Sequence, residues 1–295
     1  MHFRKTYIEI TNVCNRTCDF CPGTSRRPRF MERVVFQRIL IQLRGISRLL
    51  HFHVMGEPLL HPELSVFLDL CADHGYRVNL VTNGMLLPAA GGTLFGKTAL
   101  RQVSISLHHL SEHSSSSELD AYFGGIKECI RNAGTRPDLA VSLRLWNWGT
   151  TGSNAFRDDV LGRIADMVSI PRPRLHALAE NKPLRLAEHL WLNCAGKFVW
   201  PSLDNKDYGT NGTCLGLRQQ AAILADGAVV PCCLDRDGII TLGNISSATM
   251  ADILSCERAA ALRKGFSKGV IIEELCRRCS FRLRFNRERS PTLSP

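Results

Sequence analysis

Cys14-Asn15-Arg16-Thr17-Cys18-Asp19-Phe20-Cys21 is the stretch on which the reading of this chain turns. Its cysteines have the spacing C-x3-C-x2-C and stand directly behind a run of strand character at residues 6–11. Three thiolates in one short loop suit an iron–sulfur cube in which three irons take cysteine and the fourth stays open. Zinc would need a fourth protein ligand for a closed structural site, and this loop offers no further cysteine and no histidine.

Working outward, the chain carries 12 cysteines in 295 residues, so most thiols lie elsewhere. A composition of 44% hydrophobic and 22% charged residues is that of a globular protein and excludes a disordered or collagen-like polymer. No apolar run approaches the roughly 18 residues that span a bilayer, and the N-terminal MHFRKTYIEI lacks the apolar centre of a signal peptide. The expectation is a cytoplasmic protein with no membrane partner, where clustered thiols serve metal or redox chemistry rather than disulfides.

Strand-like runs at 6–11, 50–55, 77–81, 102–107, 139–145 and 186–193 alternate with amphipathic stretches at 32–43, 63–74, 121–132 and 158–168. Such alternation predicts βαβ units and a parallel sheet. Six repeats fit an α/β fold built as a partial (β/α)6 TIM-like barrel, although a doubly wound sheet gives the same string. The serine run 114–117 and the segment 171–173 read as loops. Behind Asn193 the rhythm stops and cysteines thicken. A hairpin is expected across 221–224 and 228–231, turned by Asp226-Gly227, followed by helical stretches at 250–263 and 273–283. The predicted organisation is a barrel over 1–193 and a small cysteine-rich α+β domain over 194–295.

CNRTCDFC, with the aromatic Phe20 just ahead of its last cysteine, resembles the signature of radical S-adenosylmethionine (SAM) enzymes. The resemblance implies that Cys14, Cys18 and Cys21 hold a [4Fe-4S] cluster whose open iron chelates SAM. It also implies that one electron from the cluster cleaves the sulfonium to a 5′-deoxyadenosyl radical, which takes hydrogen from substrate. Met55-Gly56-Glu57-Pro58 is similar to the family's GGEP motif, which puts Gly56 and Glu57 at the SAM amino group. Met55 replaces the first glycine there, a departure that is tolerable if its backbone angles are not those of glycine alone. Asn83, in Val81-Thr82-Asn83-Gly84, matches the family's TNG motif. Ser106 matches a serine near SAM, and Arg144 an arginine that meets the SAM carboxylate. In 102–108, Val103, Ile105 and Leu107 share one strand face while Ser104, Ser106 and His108 share the other, which a barrel would turn inward. Relatives often read Ser-x-Asp where this chain reads Ser106-Leu107-His108, so His108 is the one candidate for a proton-transferring catalytic residue. Its plain reading is a solvent-exposed histidine at the rim. Trp146, Asn147 and Trp148 end the fifth strand and are read either as pocket lining or as packing.

Cys194, Cys214, Cys232, Cys233, Cys256, Cys276 and Cys279 form a second group. Cys214, the run ADGAVVPCC, the tripeptide GNI and the pair Cys276-x2-Cys279 resemble the SPASM/twitch extension of radical SAM enzymes. Carried over, the resemblance implies one auxiliary [4Fe-4S] cluster on Cys214, Cys232, Cys276 and Cys279. Adjacent strand residues face opposite ways, so only one of Cys232 and Cys233 should ligate; Cys194 is a reserve. Cys71, Cys129 and Cys256 lie on helical patterns and read as plain buried thiols.

The implied activity is oxidation of a small molecule in a dehydrogenase-like reaction, with the auxiliary cluster taking the second electron. The alternative is modification of a peptide; only thirteen residues precede Cys14, so no leader-recognition domain is expected in cis. A reductant such as flavodoxin or ferredoxin is the expected protein partner. The net charge of +10, from 37 Lys and Arg against 27 Asp and Glu, would suit RNA. No RNA-binding module is recognisable, however, which argues against nucleic acid. The arginines at 277, 278, 282, 284, 287 and 289, answered only by Glu288, read as a solvated basic tail. A non-catalytic iron–sulfur protein would account for the cysteines but not for the Glu57, Asn83 and Arg144 set.

Overall fold

Val-, Ile- and Leu-rich runs form strands and the amphipathic stretches form helices in the computed structural model, which describes residues 1–107, 110, 113–146, 154–177, 182–196 and 198–285. The order is β1 (Lys5–Ile8), α1 (Arg33–Gln42), β2 (Leu49–Phe52), α2 (Leu64–Asp73), β3 (Arg77–Thr82), α3 (Leu87–Leu94), β4 (Leu100–Ser106), α4 (Ser116–Ala133), β5 (Ala140–Trp146), α5 (Asn154–Val168), β6 (Leu184–Ala187) and β7 (Leu190–Ala195). It continues with β8 (Gln220–Ile223), β9 (Ala228–Val230), β10 (Gly243–Asn244), α6 (Met250–Ser255), α7 (Glu257–Lys268) and α8 (Glu274–Arg277). Among the described residues no helix is long and apolar enough to cross a membrane. The chain forms two compact units.

One unit joins Met1–Asn12, Thr24–Met55 and Phe198–Pro295. Its β1 runs parallel to β2 on one side (Thr6 opposite Leu50) and to β8 on the other (Lys5 opposite Gln220). β8, β9 and β10 follow as an antiparallel meander through the expected hairpin. Helix α1 buries Phe36, Ile39 and Leu40, spaced to share one face, and Phe36 meets Phe52 edge-on with ring centroids 5.7 Å apart. The stretch 250–263 is not one helix. Cys256 leaves helical angles and caps α7, its Sγ accepting from Ala259 N at 3.5 Å, so this thiol is a half-buried cap rather than a core residue. The stretch 273–283 likewise breaks into α8 and a short 3-10 turn, Ser280–Phe285.

Glu9, just beyond β1, is buried and anchors this unit. Both its oxygens accept from Arg26 Nη2, at 2.6 and 2.7 Å, and they also take Met55 N at 3.3 Å and Ala225 N at 3.0 Å. One carboxylate thus fixes three chain segments far apart in sequence. Removing one partner of a buried pair strands the other charge, which costs about 3–5 kcal/mol. Arg26→Met should therefore lower the unfolding free energy by about that amount in anaerobic urea titration, and adding Glu9→Gln should restore part of the loss.

The other unit joins Val13–Gly23 and Gly56–Lys197. β3, β4, β5 and β7 are parallel neighbours, and β6 pairs with β7 antiparallel. The expected single strand at 186–193 is therefore a hairpin turned at Glu188-His189, and β7 is the parallel member. The serine run is only partly loop. Ser115 caps α4, its hydroxyl accepting from Glu118 N while the Glu118 carboxylate accepts from Ser115 N. This capping box starts the helix earlier than its apolar spacing suggests. α3 was not expected, because Gly91 and Gly92 mask a helix that Pro88 starts well. The segment read as a loop around Pro173 is a 3-10 helix, Arg172–Ala177.

Candidate functional site: two thiol groups

The first group sits in the second unit. Cys14 and Cys21 are exposed and Cys18 is half-buried, and all twelve cysteines of the chain are thiols. Cys21 N donates to Cys18 O at 2.9 Å, which tightens the loop between them. Burial, reinforced by the charges of Cys21 and Cys14, pushes the Cys18 thiol up to about 11, and burial also raises Cys14. Thiols held this way resist ionising alone, so their donor chemistry fits a cationic iron group that would compensate three thiolates. Among the described residues no three His, Cys, Asp or Glu side chains are placed to hold a single metal ion.

The strand ends around this loop carry the other expected residues. Asn83 Nδ2 donates to Asn15 Oδ1 at 2.8 Å and approaches Cys14 Sγ at 4.0 Å. Glu57 N donates to Val13 O at 2.8 Å, so the Gly56-Glu57 turn is fastened to the start of the loop. The Glu57 carboxylate is buried and takes three donors: Leu59 N at 3.0 Å, Thr82 Oγ1 at 2.7 Å and Asn83 N at 2.7 Å. Burial raises its affinity for a proton, and those hydrogen bonds oppose the rise. Gly56 has φ +74°, whereas Met55 has no positive φ, so the methionine in place of glycine needs no strained backbone.

Phe20, Trp146 and Arg144 form a stack. Phe20 lies edge-on to Trp146 with ring centroids 6.4 Å apart, and the Arg144 guanidinium lies 4.2 Å over the Trp146 ring. Ser106 is buried and registers with Arg144 across β4 and β5. The same strand face carries Ser104, which donates to Asn79 Oδ1 at 3.0 Å, in keeping with a polar inner face. His108, Asn147 and Trp148 lie outside the described residues.

Thr82 and Tyr122 were not singled out from the sequence. Thr82 belongs to the VTNG motif and was legible there in principle. Tyr122 donates its hydroxyl to Asn83 O at 2.8 Å from α4, and nothing in the sequence marks it. Gly84 explains why the turn ends as it does: φ is +83°, and a Cβ would stand 2.9 Å from Ile105 Cγ2 and 3.0 Å from the Tyr122 hydroxyl. Gly84→Ala should cost about 1–3 kcal/mol of stability through backbone strain alone, read by denaturant titration.

The second group sits in the first unit. Cys214 lies in a loop fastened by Thr213, whose hydroxyl donates to Phe266 O at 2.8 Å; Cys232 follows β9, and Cys276 and Cys279 bracket the end of α8. Burial pushes Cys214, Cys232 and Cys276 up and Cys279 to about 11; the charges of Cys233, Cys214, Cys276 and Cys279 add to the rise at Cys232, those of Cys214 and Cys279 at Cys276, and that of Cys214 at Cys279. Cys233 faces elsewhere: it packs against the apolar cluster that holds Tyr7, Val54, Met55 and Val230. Adjacent side chains on an extended segment diverge, and the Cys232 thiol feels the charges of Cys233, Cys214, Cys276 and Cys279. Cys194 is a buried residue of β7 in the other unit. Asp235 closes the loop after Cys232 by accepting from Ile239 N at 2.9 Å and Ile240 N at 2.8 Å. Asp237 accepts from Thr24 Oγ1 at 2.7 Å and Ser25 N at 3.0 Å.

The basic tail is only partly solvated. Arg282 is 1% exposed, and Arg277 and Arg278 pair with Asp207 and Glu274, while residues 287–289 lie outside the described residues.

Two family models match the sequence: the radical SAM superfamily over residues 8–137, and an iron–sulfur cluster-binding domain, SPASM, over 214–280. The S-adenosyl-L-methionine-dependent 2-deoxy-scyllo-inosamine dehydrogenase of Niallia circulans is 22% identical over 286 residues, covering 94% of this chain and 93% of that protein. The PqqA peptide cyclase of Methylorubrum extorquens (strain PA1) is 28% identical over 123 residues, 40% of this chain and 30% of that protein. Among solved structures, BtrN in complex with AdoMet and 2-DOIA aligns with a TM-score of 0.59 at 18% identity, covering 95% of this chain and 94% of that one. Streptococcus suis SuiB bound to precursor peptide SuiA aligns at 0.61 and 15% identity, covering 98% and 74%. At such identities the structural likenesses carry the fold.

Proposed function

Because the chain is a member of the radical SAM superfamily with a C-terminal SPASM-type iron–sulfur domain, we propose that it is an oxidoreductase-type enzyme that cleaves SAM reductively and oxidises a small hydroxylated molecule. The similarity to an aminocyclitol dehydrogenase over nearly the full length of both chains carries the substrate half of this reading. We take residues 1–193 as the SAM-cleaving core and 194–295 as the auxiliary-cluster domain. When bound, the first cluster would supply the electron for reductive cleavage of SAM, and the auxiliary cluster would supply an acceptor for the electron left on the substrate after hydrogen abstraction.

The chain's own residues prepare that chemistry. Cys14, Cys18 and Cys21 would hold three irons and leave one open. Asn83 keeps the loop in place through Asn15. Glu57 positions Asn83 and Thr82, and its Oε2, with a single donor among the hydrogen bonds described, is the group for the SAM amino end. Arg144, braced on Trp146, offers a fixed positive charge for the SAM carboxylate, with Ser106 beside it and Gly56 allowing close backbone approach. Cys214, Cys232, Cys276 and Cys279 would hold the auxiliary cluster. His108 stands as the candidate proton acceptor for the oxidised carbinol. A small electron carrier such as flavodoxin or ferredoxin is the proposed reductant, in the cytoplasm.

The test is to supply loaded enzyme with SAM, reductant and a panel of aminocyclitols and polyols. One ketone formed per 5′-deoxyadenosine supports the reading. The likeness to the peptide cyclase and to SuiB favours a second reading, peptide modification. Turnover of a short peptide with no reaction on any polyol would establish that one instead.

A further inference from the structure

Arg282 lies on the 3-10 turn that follows Cys279 and is one of the largest fully buried side chains of the chain. Its guanidinium donates from Nε to Cys276 O at 2.9 Å, from Nη1 to Asn211 O at 2.9 Å, and from Nη2 to Tyr208 O at 3.1 Å and Gly209 O at 2.6 Å. All of these acceptors are main-chain carbonyls. The acidic side chains of the neighbouring segments are engaged elsewhere: Glu273 with Arg258, Glu274 with Arg278 and Asp207 with Arg277. A guanidinium removed from water without an anion is costly, and carbonyl dipoles offset only part of that cost. One hydrogen bond from the Cys276 main chain and three residues beyond Cys279, the guanidinium stands beside the auxiliary thiol group.

We propose that Arg282 is the internal counter-cation of the auxiliary site, fixing the Cys276 main chain and raising the reduction potential of the cluster held by Cys214, Cys232, Cys276 and Cys279. The inference rests on the reading that these four thiols hold an iron–sulfur cluster. Reduction adds one electron to a group already ringed by four thiolates, so a fixed positive charge beside it favours the reduced state. Arg282 is a positioning residue in this account, since it touches the ligand's backbone and acts through charge.

The experiment uses the full chain with Cys14, Cys18 and Cys21 all replaced by alanine, so that auxiliary iron alone is observed, in a dye-mediated redox titration followed by electron paramagnetic resonance. Arg282→Gln should lower the ratio of reduced to oxidised cluster at fixed potential at least tenfold, about 59 mV for a one-electron couple. Arg282→Lys, which keeps the charge, should shift it less than threefold. A fully loaded Arg282→Gln protein titrating at the parental midpoint would overturn the proposal. If Arg282→Gln retains no iron, the lysine variant decides: a parental midpoint supports the proposal, and a tenfold fall overturns it. A parent without auxiliary iron would overturn the four-thiol reading itself, and iron content tells that failure apart.

Discussion

Cys14→Ala protein, reconstituted anaerobically with iron and sulfide, should lose the SAM-cleaving cluster and hold about four irons where the wild type holds about eight. It should form no 5′-deoxyadenosine above the enzyme-free background. The loop has no further thiol to substitute: its other cysteines are Cys18 and Cys21, and the neighbouring amides, Asn15 and Asn83, bond to one another. Fold loss would not explain this outcome, because Cys14 is exposed and its side chain fills no core position. The auxiliary iron should survive and serves as the internal control. Cleavage of SAM at the wild-type rate by this variant would remove Cys14 from the account.

Cys232→Ala and Cys233→Ala should part company as sharply. Alanine at 232 removes the thiol proposed to ligate with Cys214, Cys276 and Cys279, and the auxiliary irons, about four, should be lost. Alanine at 233 trims a side chain packed against the apolar cluster that holds Tyr7, Val54 and Met55, so iron content should stay at the wild-type level. The cost there is a small core truncation of about 1 kcal/mol. Iron and sulfide analysis of the two proteins side by side reads the contrast, and equal loss in both would show that the two thiols share the site.

The first site was legible in sequence because its residues lie in short contiguous motifs, each at a turn where local chemistry dictates the chain path. Phe20, Gly56, Glu57 and Asn83 fall into this class. Alternation of side chains in 102–108 likewise put Ser106 on the polar strand face, whereas Arg144 was marked by the family resemblance and the structure registers it with Ser106. What stayed hidden depends on tertiary contact. The Phe20–Trp146–Arg144 stack joins residues more than a hundred positions apart, and nothing local marks Tyr122 as the donor to Asn83. Alternation limited the auxiliary ligand to one of Cys232 and Cys233 but could not choose, because the choice depends on what each face meets. The hairpin within 186–193 was missed because both its arms are apolar and its turn, Glu188-His189, has neither glycine nor proline. Arg282 was missed for the opposite reason. A run of arginines reads as solvated, and only burial among carbonyls singles one out.

The central claim is that this chain cleaves SAM reductively at the Cys14, Cys18 and Cys21 loop. The most direct test is quantification of 5′-deoxyadenosine and methionine after anaerobic incubation of fully loaded wild-type protein with SAM and a strong one-electron reductant. The account predicts both products in equal amounts, dependent on enzyme and reductant. Neither product from protein carrying about eight irons and eight sulfides per chain would contradict it.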